Sequence, residues 1–150
     1  GGVIALSGVA NSEKINKQTK SVVTISSPIK GFNKSDENSG LRSLIELFAC
    51  NSKENHENKI WDDISTDSKF IKQISAHDYN NTKVYNIVNR YDLVVSSESA
   101  KLEKNFPYFC INEVDKELFG LNHSTLLDNK VISTEIINLL IDDKKIVDDC

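Results

Sequence analysis

The first seventeen residues open on two glycines. Val3, Ile4, Ala5, Leu6, Val9, Ala10 and Ile15 then cover nearly the whole circumference of a helix at its start. Such a helix is buried on most of its sides. Asn11, Ser12, Glu13 and Lys14 turn its far end polar. Glycines and small residues at the start let a helix lie very close to a sheet. Ser21-Val22-Val23-Thr24-Ile25-Ser26 is rich in β-branched residues and predicts a strand. Pro28 and Gly31 break it. A helix followed at once by a strand predicts α/β alternation and a parallel sheet.

Asn33 to Gly40 is polar, and Leu41, Leu44, Ile45, Leu47 and Phe48 then fall at helical spacing. Asn51 to Lys59 is almost wholly polar, and Trp61 opens the next segment. Asp67 or Ser68 caps a helix that carries Phe70, Ile71 and Ile74. The stretch 33–80 therefore reads as a helical insertion between two strands. It is too long for a simple crossover, which suggests a cap or lid. Thr82 to Asn89 is the second strand, apolar on both faces and so expected inside a covered sheet. Asp92 follows at its C-terminal end, where sites gather in open α/β sheets.

Beyond Asp92 the pattern predicts a short helix from Ser97 to Leu102. A strand is expected within Phe106 to Val114, with Glu117 to Leu121 as its continuation or as the strand proper. His123 comes next, in a polar loop. Val131, Ile132, Ile136, Ile137, Leu139 and Leu140 then repeat as an amphipathic helix to about Ile141, before a charged end.

Composition narrows the picture. One domain of 150 residues, 39% apolar and 27% charged, is ordinary for a soluble globular protein. A net charge of −4 with scattered lysines argues against a nucleic-acid partner, which calls for a basic face. No apolar run approaches the ~20 residues of an integral membrane segment. The opening has no basic region of a signal peptide, and the absence of methionine marks the sequence as a fragment or a processed product. Cys50, Cys110 and Cys150 are odd in number, widely spaced and without a CxxC pair. They read as buried or incidental thiols rather than a disulfide framework or a zinc site. That leans mildly toward the cytoplasm, with one bridge left open.

The candidate chemistry rests on few residues. The neutral imidazole of His123 takes up a proton near pH 7 and gives it back. Asp92 is its candidate partner, although an Asp after a strand is by itself often a turn former. His56 lies in a solvated stretch and His77 in a turn. Asp62 and Asp63 have no further ligands beside them to complete a metal site. Ser26 and Ser27 end a strand without the glycines of a nucleophile turn, and Ser7 sits inside a helix. No metal or cofactor is expected.

In chain order, Gly1-Gly2, Asp92 and His123 run glycine turn, acid, base. This resembles the C-terminal half of an α/β-hydrolase, whose triad runs Ser, Asp or Glu, His. Gly1-Gly2-Val3-Ile4-Ala5-Leu6 resembles the tail of a lipase-type elbow, G-H-S-x-G-G. Val22 to Gly31 is similar to the strand that follows the elbow helix in bacterial lipases and esterases, with its T-x-x-x-P-x-x-G pattern. Arg90-Tyr91-Asp92-Leu93-Val94-Val95 resembles the acid turn, D-x-x-V, and Asn122-His123-Ser124-Thr125-Leu126-Leu127 the histidine loop.

The resemblance implies a partial α/β-hydrolase fold: the later strands of a mostly parallel sheet, flanking helices and a cap-like insertion. It implies Asp92 and His123 as catalytic acid and base, and Gly1 and Gly2 as the remnant of the nucleophile elbow by the oxyanion site. The serine then stands two residues before Gly1. The activity implied is hydrolysis of small-molecule or lipid carboxylic esters through an acyl-enzyme, without a cofactor, and the fragment alone is expected to be inactive. A non-catalytic α/β-hydrolase-like interaction module and an acyltransferase are the alternatives. Two structural expectations follow: an unpaired, apolar sheet edge beside Ser21 to Ser26, and the side chains of Asp92 and His123 within hydrogen-bond reach.

Overall fold

The computed structural model describes residues 1–33, 62–92, 94–102, 108–111, 126 and 130–142. Helix α1 spans Gly2–Asn11 and buries Val3, Leu6 and Val9 along one side. The single helix expected to about residue 17 is two helices. Ser12 is extended (φ −131°, ψ 110°) and caps α2, Glu13–Gln18, its Oγ accepting from Ile15 N at 3.3 Å. A serine that satisfies an orphan helix donor competes with helix continuation, and here it wins. α2 buries no residue, so α1 alone carries the apolar contact.

Among the described residues three strands form a parallel sheet in the order β1-β2-β3: β1 Ser21–Ile25, β2 Lys83–Asn89 and β3 Tyr108–Ile111. Val22 faces Val84 and Ile25 faces Ile87; Val88 faces Cys110. Every β2 residue from Val84 to Asn89 is buried, as a central strand covered on both faces requires. On one face lie α1 and α3, Lys69–Ser75, which starts where Ser68 Oγ accepts from Ile71 N at 3.0 Å. Val3, Leu6 and Val9 meet Ile71 and Ile74 over Val22 and Val84. On the other face, Ile132 and Ile136 of α5, Lys130–Asp142, cover Tyr85 and Ile87 together with Leu126. A short helix α4, Ser97–Ala100, precedes β3. The chain is thus a mixed α/β protein with helices on both faces of a parallel sheet.

The helix expected after Asp67 or Ser68 packs into the main core as α3, while residues 34–61, with the helical pattern of Leu41 to Phe48, fall outside the described residues. The two ends of that stretch are clasped together. Phe32 N donates to Ile64 O and Thr66 N to Phe32 O, both at 3.0 Å. Gly31 makes the approach possible. Its φ is +78°, and a Cβ there would stand 2.8 Å from Ile64 O and from Thr66 N.

The reading of the cysteines changes as well: Cys110, buried in β3, is disulfide-bonded and not a free thiol, which makes it part of the one bridge left open above. The other two cysteines, Cys50 and Cys150, lie outside the described residues. Pairing depends on distance in space, which spacing along the chain does not report. Disulfides belong to oxidising compartments, so the lean toward cytoplasm loses its basis. Among the described residues no helix is long and apolar enough to cross a membrane.

Two substitutions test this packing by urea denaturation. Leu6→Ala empties a fully buried site and lowers stability by about 2–5 kcal/mol. Gly31→Ala forces a side chain into backbone at a left-handed position and costs at least about 2 kcal/mol.

Candidate functional site

The C-terminal ends of β1 and β2 lie side by side, with Ser26 N donating to Ile87 O at 2.8 Å. Helix α1 starts at this end. A Cβ at Gly2 would overlap Ser27 Oγ and stand 2.8 Å from Ser27 Cβ and 3.1 Å from Thr24 Cβ. Any larger residue would push the helix off the strand. The contact sets the N-terminus of α1, the positive end of its dipole, against the end of β1.

Asp92 follows β2 at the same end. The chain turns as Asp92 N donates to Asn89 O at 3.2 Å and Tyr91 N to Asn89 Oδ1 at 3.0 Å. Asp92 Oδ1 then accepts from Val94 N at 2.8 Å and Val95 N at 3.0 Å. Buried Val95 clusters with Phe32, Val88 and Ala100, with Val94 partly buried against them, so the turn is anchored in apolar contacts. The carboxylate is half-buried and fixed in direction by two backbone donors.

A cleft of about 390 Å³ opens beside it, lined by Asp92 and Val94 from the acid turn and by Gly31, Phe32, Lys30 and Glu98. Lys30 Nζ lies 3.0 Å from Glu98 Oε1, and Lys30 N donates to Ser99 O at 3.0 Å. The hydrogen bond from Lys30, then its charge, holds the Glu98 carboxyl below its ordinary range, with a further contribution from Lys101, against some desolvation. Because Glu98 is largely exposed, the pair contributes little to stability.

Beneath α1 the sheet holds a buried polar pair. Thr24 Oγ1 donates to Asn86 Oδ1 at 2.8 Å, and both residues are 1% exposed or less. Asn86 Nδ2 and the hydroxyl of nearby Ser26 are buried and have no hydrogen-bond partner among the described residues. Ser26 adopts φ +40°, in the left-handed region that favours glycine. It is nearly wholly buried. The pair was missed in the sequence, where its only signal is an asparagine inside an apolar strand.

The other expected residues are scattered or unplaced. Gly1 is exposed at the start of α1. His123 and His56 lie outside the described residues, so the Asp92–His123 separation does too. His77 sits between α3 and β2, at the opposite end of β2 from Asp92. Its ring meets Tyr79 edge-on at 4.7 Å. The Tyr79 hydroxyl donates to Ile74 O at 2.9 Å, and burial pushes its pKa up to about 12. Ser7 Oγ accepts from Asn11 Nδ2 at 3.2 Å. Asp62 and Asp63 are exposed, and no group of possible metal ligands occurs among the described residues.

Substitutions at three positions probe this end of the sheet. Asp92→Ala removes an acceptor from two backbone donors and lowers stability by about 2–3 kcal/mol, while Asp92→Asn, which keeps an oxygen, costs roughly half as much. Gly2→Ala costs about 1–3 kcal/mol through the overlap with Ser27. The stability gap between wild type and Glu98→Gln is present at neutral pH. In an acid titration it closes as pH falls through the lowered Glu98 carboxyl. The sequence matches no protein-family model and no curated protein.

Proposed function

We propose that this chain carries the acid and the base of a serine hydrolase of carboxylic esters with an α/β-hydrolase fold. The observation that carries the reading is the placement of Asp92. Its carboxylate is locked at the C-terminal end of the central strand, at the same end of the sheet where α1 begins in enforced contact with β1. In this reading Asp92 bonds one imidazole nitrogen of His123, fixes its tautomer and stabilises the imidazolium. The other nitrogen takes the proton of a serine that stands in the polypeptide before Gly1. The serine oxygen attacks the ester carbonyl, the imidazolium protonates the leaving alcohol, and water then releases the acid from the acyl-enzyme. The N-terminus of α1 faces the developing oxyanion. Small-molecule or lipid-like esters are the substrate class, on the strength of the lipase-like motifs.

A second reading is a non-catalytic α/β module. It is favoured by the two backbone donors on Asp92 Oδ1, which give the residue a structural role of its own.

The test takes residues 1–150 behind a Gly-x-Ser-x segment and follows hydrolysis of a chromogenic short-chain ester. Asp92→Asn and His123→Ala are each expected to lower kcat by about a thousandfold or more. Full activity in both variants would sink the assignment. In the chain as it stands, an NMR titration of the His123 ring is expected to move to lower pH in Asp92→Asn, because a nearby carboxylate favours the imidazolium. An unchanged midpoint speaks for the non-catalytic module.

A further inference from the structure

The sequence contains the triplet Asn-x-Ser/Thr three times, starting at Asn33, Asn80 and Asn122. This triplet is the acceptor of N-linked glycans in proteins that pass through a secretory compartment. In a chain so rich in asparagine it also arises by chance, and the motif alone decides nothing. Two structural observations single out Asn80.

The first concerns the compartment. Cys110 is disulfide-bonded, which belongs to the oxidising surroundings where N-glycans are also attached. The second is the turn that carries the triplet. Thr82 N donates to Tyr79 O at 2.8 Å, which closes a β-turn with Asn80 and Asn81 at its tip. Tyr79 and Thr82 anchor the turn, at 2% and 3% exposed, while Asn80 and Asn81 stand in solvent. Asn80 Nδ2 donates to Asp78 Oδ2. An asparagine amide that bears a sugar keeps one N–H, which is enough for that bond. An open cleft of about 550 Å³ beside the turn, lined by Lys20, Tyr85 and Leu140, has room for the first sugar. The turn leads into β2 at Lys83, the end of the strand remote from Asp92. A glycan at Asn80 therefore stands clear of the candidate site. Asn33, in contrast, lines the cleft beside Asp92, and Asn122 adjoins His123 in the sequence.

We propose that Asn80 is an N-glycosylation site, filled before the domain folds. The order of events follows from Thr82. Glycan attachment requires the hydroxyl of the third residue as well as the asparagine. In the folded chain that hydroxyl is buried and donates to Thr19 O at 3.1 Å. It is open to an enzyme only before the turn closes against the residues that lead into β1. The co-substrate is an oligosaccharide joined through a diphosphate to a polyprenol. Asn80 Nδ2 attacks C1 of the first sugar and the C1–O bond to the diphosphate breaks. The lipid diphosphate leaves with the bonding electrons, and one amide proton passes to a base. Nothing is oxidised or reduced. The inference rests on the turn and the disulfide and is independent of the hydrolase reading.

The protein is isolated from the cells that make it and cut with trypsin. Cleavage after Lys72 and Lys83 places Asn80 in the peptide 73–83, which holds no other triplet. Mass spectrometry is expected to find this peptide carrying hexosamine-based mass. Peptide:N-glycosidase in heavy-oxygen water should remove that mass and leave labelled Asp at position 80. Finding only the unmodified peptide, or sugar at Asn33 or Asn122 alone, overturns the proposal. In a second arm, residues 1–150 behind a secretory signal are translated with microsomes. The wild type is expected to gain one glycan more than Asn80→Gln or Thr82→Ala, and Thr82→Ser keeps that glycan. Equal glycan numbers in the wild type and Asn80→Gln also overturn the site. Chain that is folded first and then given the solubilised transferase is expected to stay unmodified at Asn80. Modification of the folded chain overturns the proposed order of events.

Discussion

Helix α1 approaches strand β1 so closely that residue 2 has no room for a side chain, and much of the architecture hangs on that contact. The close approach brings Val3, Leu6 and Val9 over Val22, where Ile71 and Ile74 of α3 complete one layer of core. It also decides which end of the sheet receives the N-terminus of α1. A helix held further out would leave the layer between helix and sheet under-filled, at the steep cost of a cavity in a close-packed interior. The absence of one Cβ thus links the packing of the domain to the polarity of its candidate site.

The second organising element is β2. It is buried on both faces, yet its sequence is not wholly apolar. Asn86 sits under α1 and takes a hydrogen bond from Thr24 of the neighbouring strand. Such a cross-strand bond ties register to chemistry, since a slip by one residue would separate the two side chains and send each to the wrong face. The buried amide nitrogen left over and the hydroxyl of Ser26, on a strained backbone, mark this as a place where the interior gives up some stability. It lies next to the contact that seats α1.

Much of this was legible in the sequence where the physics is local. β-branched runs marked β1 and β2, and the double-sided apolar pattern of β2 marked it as central. The glycine pair marked a close approach, and Asp92 was placed by following a strand. What escaped depends on the tertiary fold or on a single competing bond. The break at Ser12 turns on one hydroxyl that caps α2 in place of helix continuation. The disulfide at Cys110 depends on a neighbour in space that no spacing rule reaches. The role of α3 in the main core shows only when α1 is packed against it, because taken alone its apolar residues fit a lid equally well. For the candidate site, Asp92 and the start of α1 fall at one end of the sheet, and His123 lies outside the described residues.

The clasp between Phe32 and Ser65 has a consequence for how such a chain can change. Its two backbone bonds close the ends of the intervening segment against each other before the chain rejoins the core through α3. The two ends of the β1–β2 connection are thus held together next to the sheet, whatever the number of residues between them. Doubling the length of a flexible segment between fixed ends costs only about 0.6 kcal/mol in closure entropy. Selection can lengthen, shorten or replace that segment while the strands keep their alignment. The clasp behaves as a mounting point, where variation in size and composition is absorbed without reaching the strand that leads to Asp92.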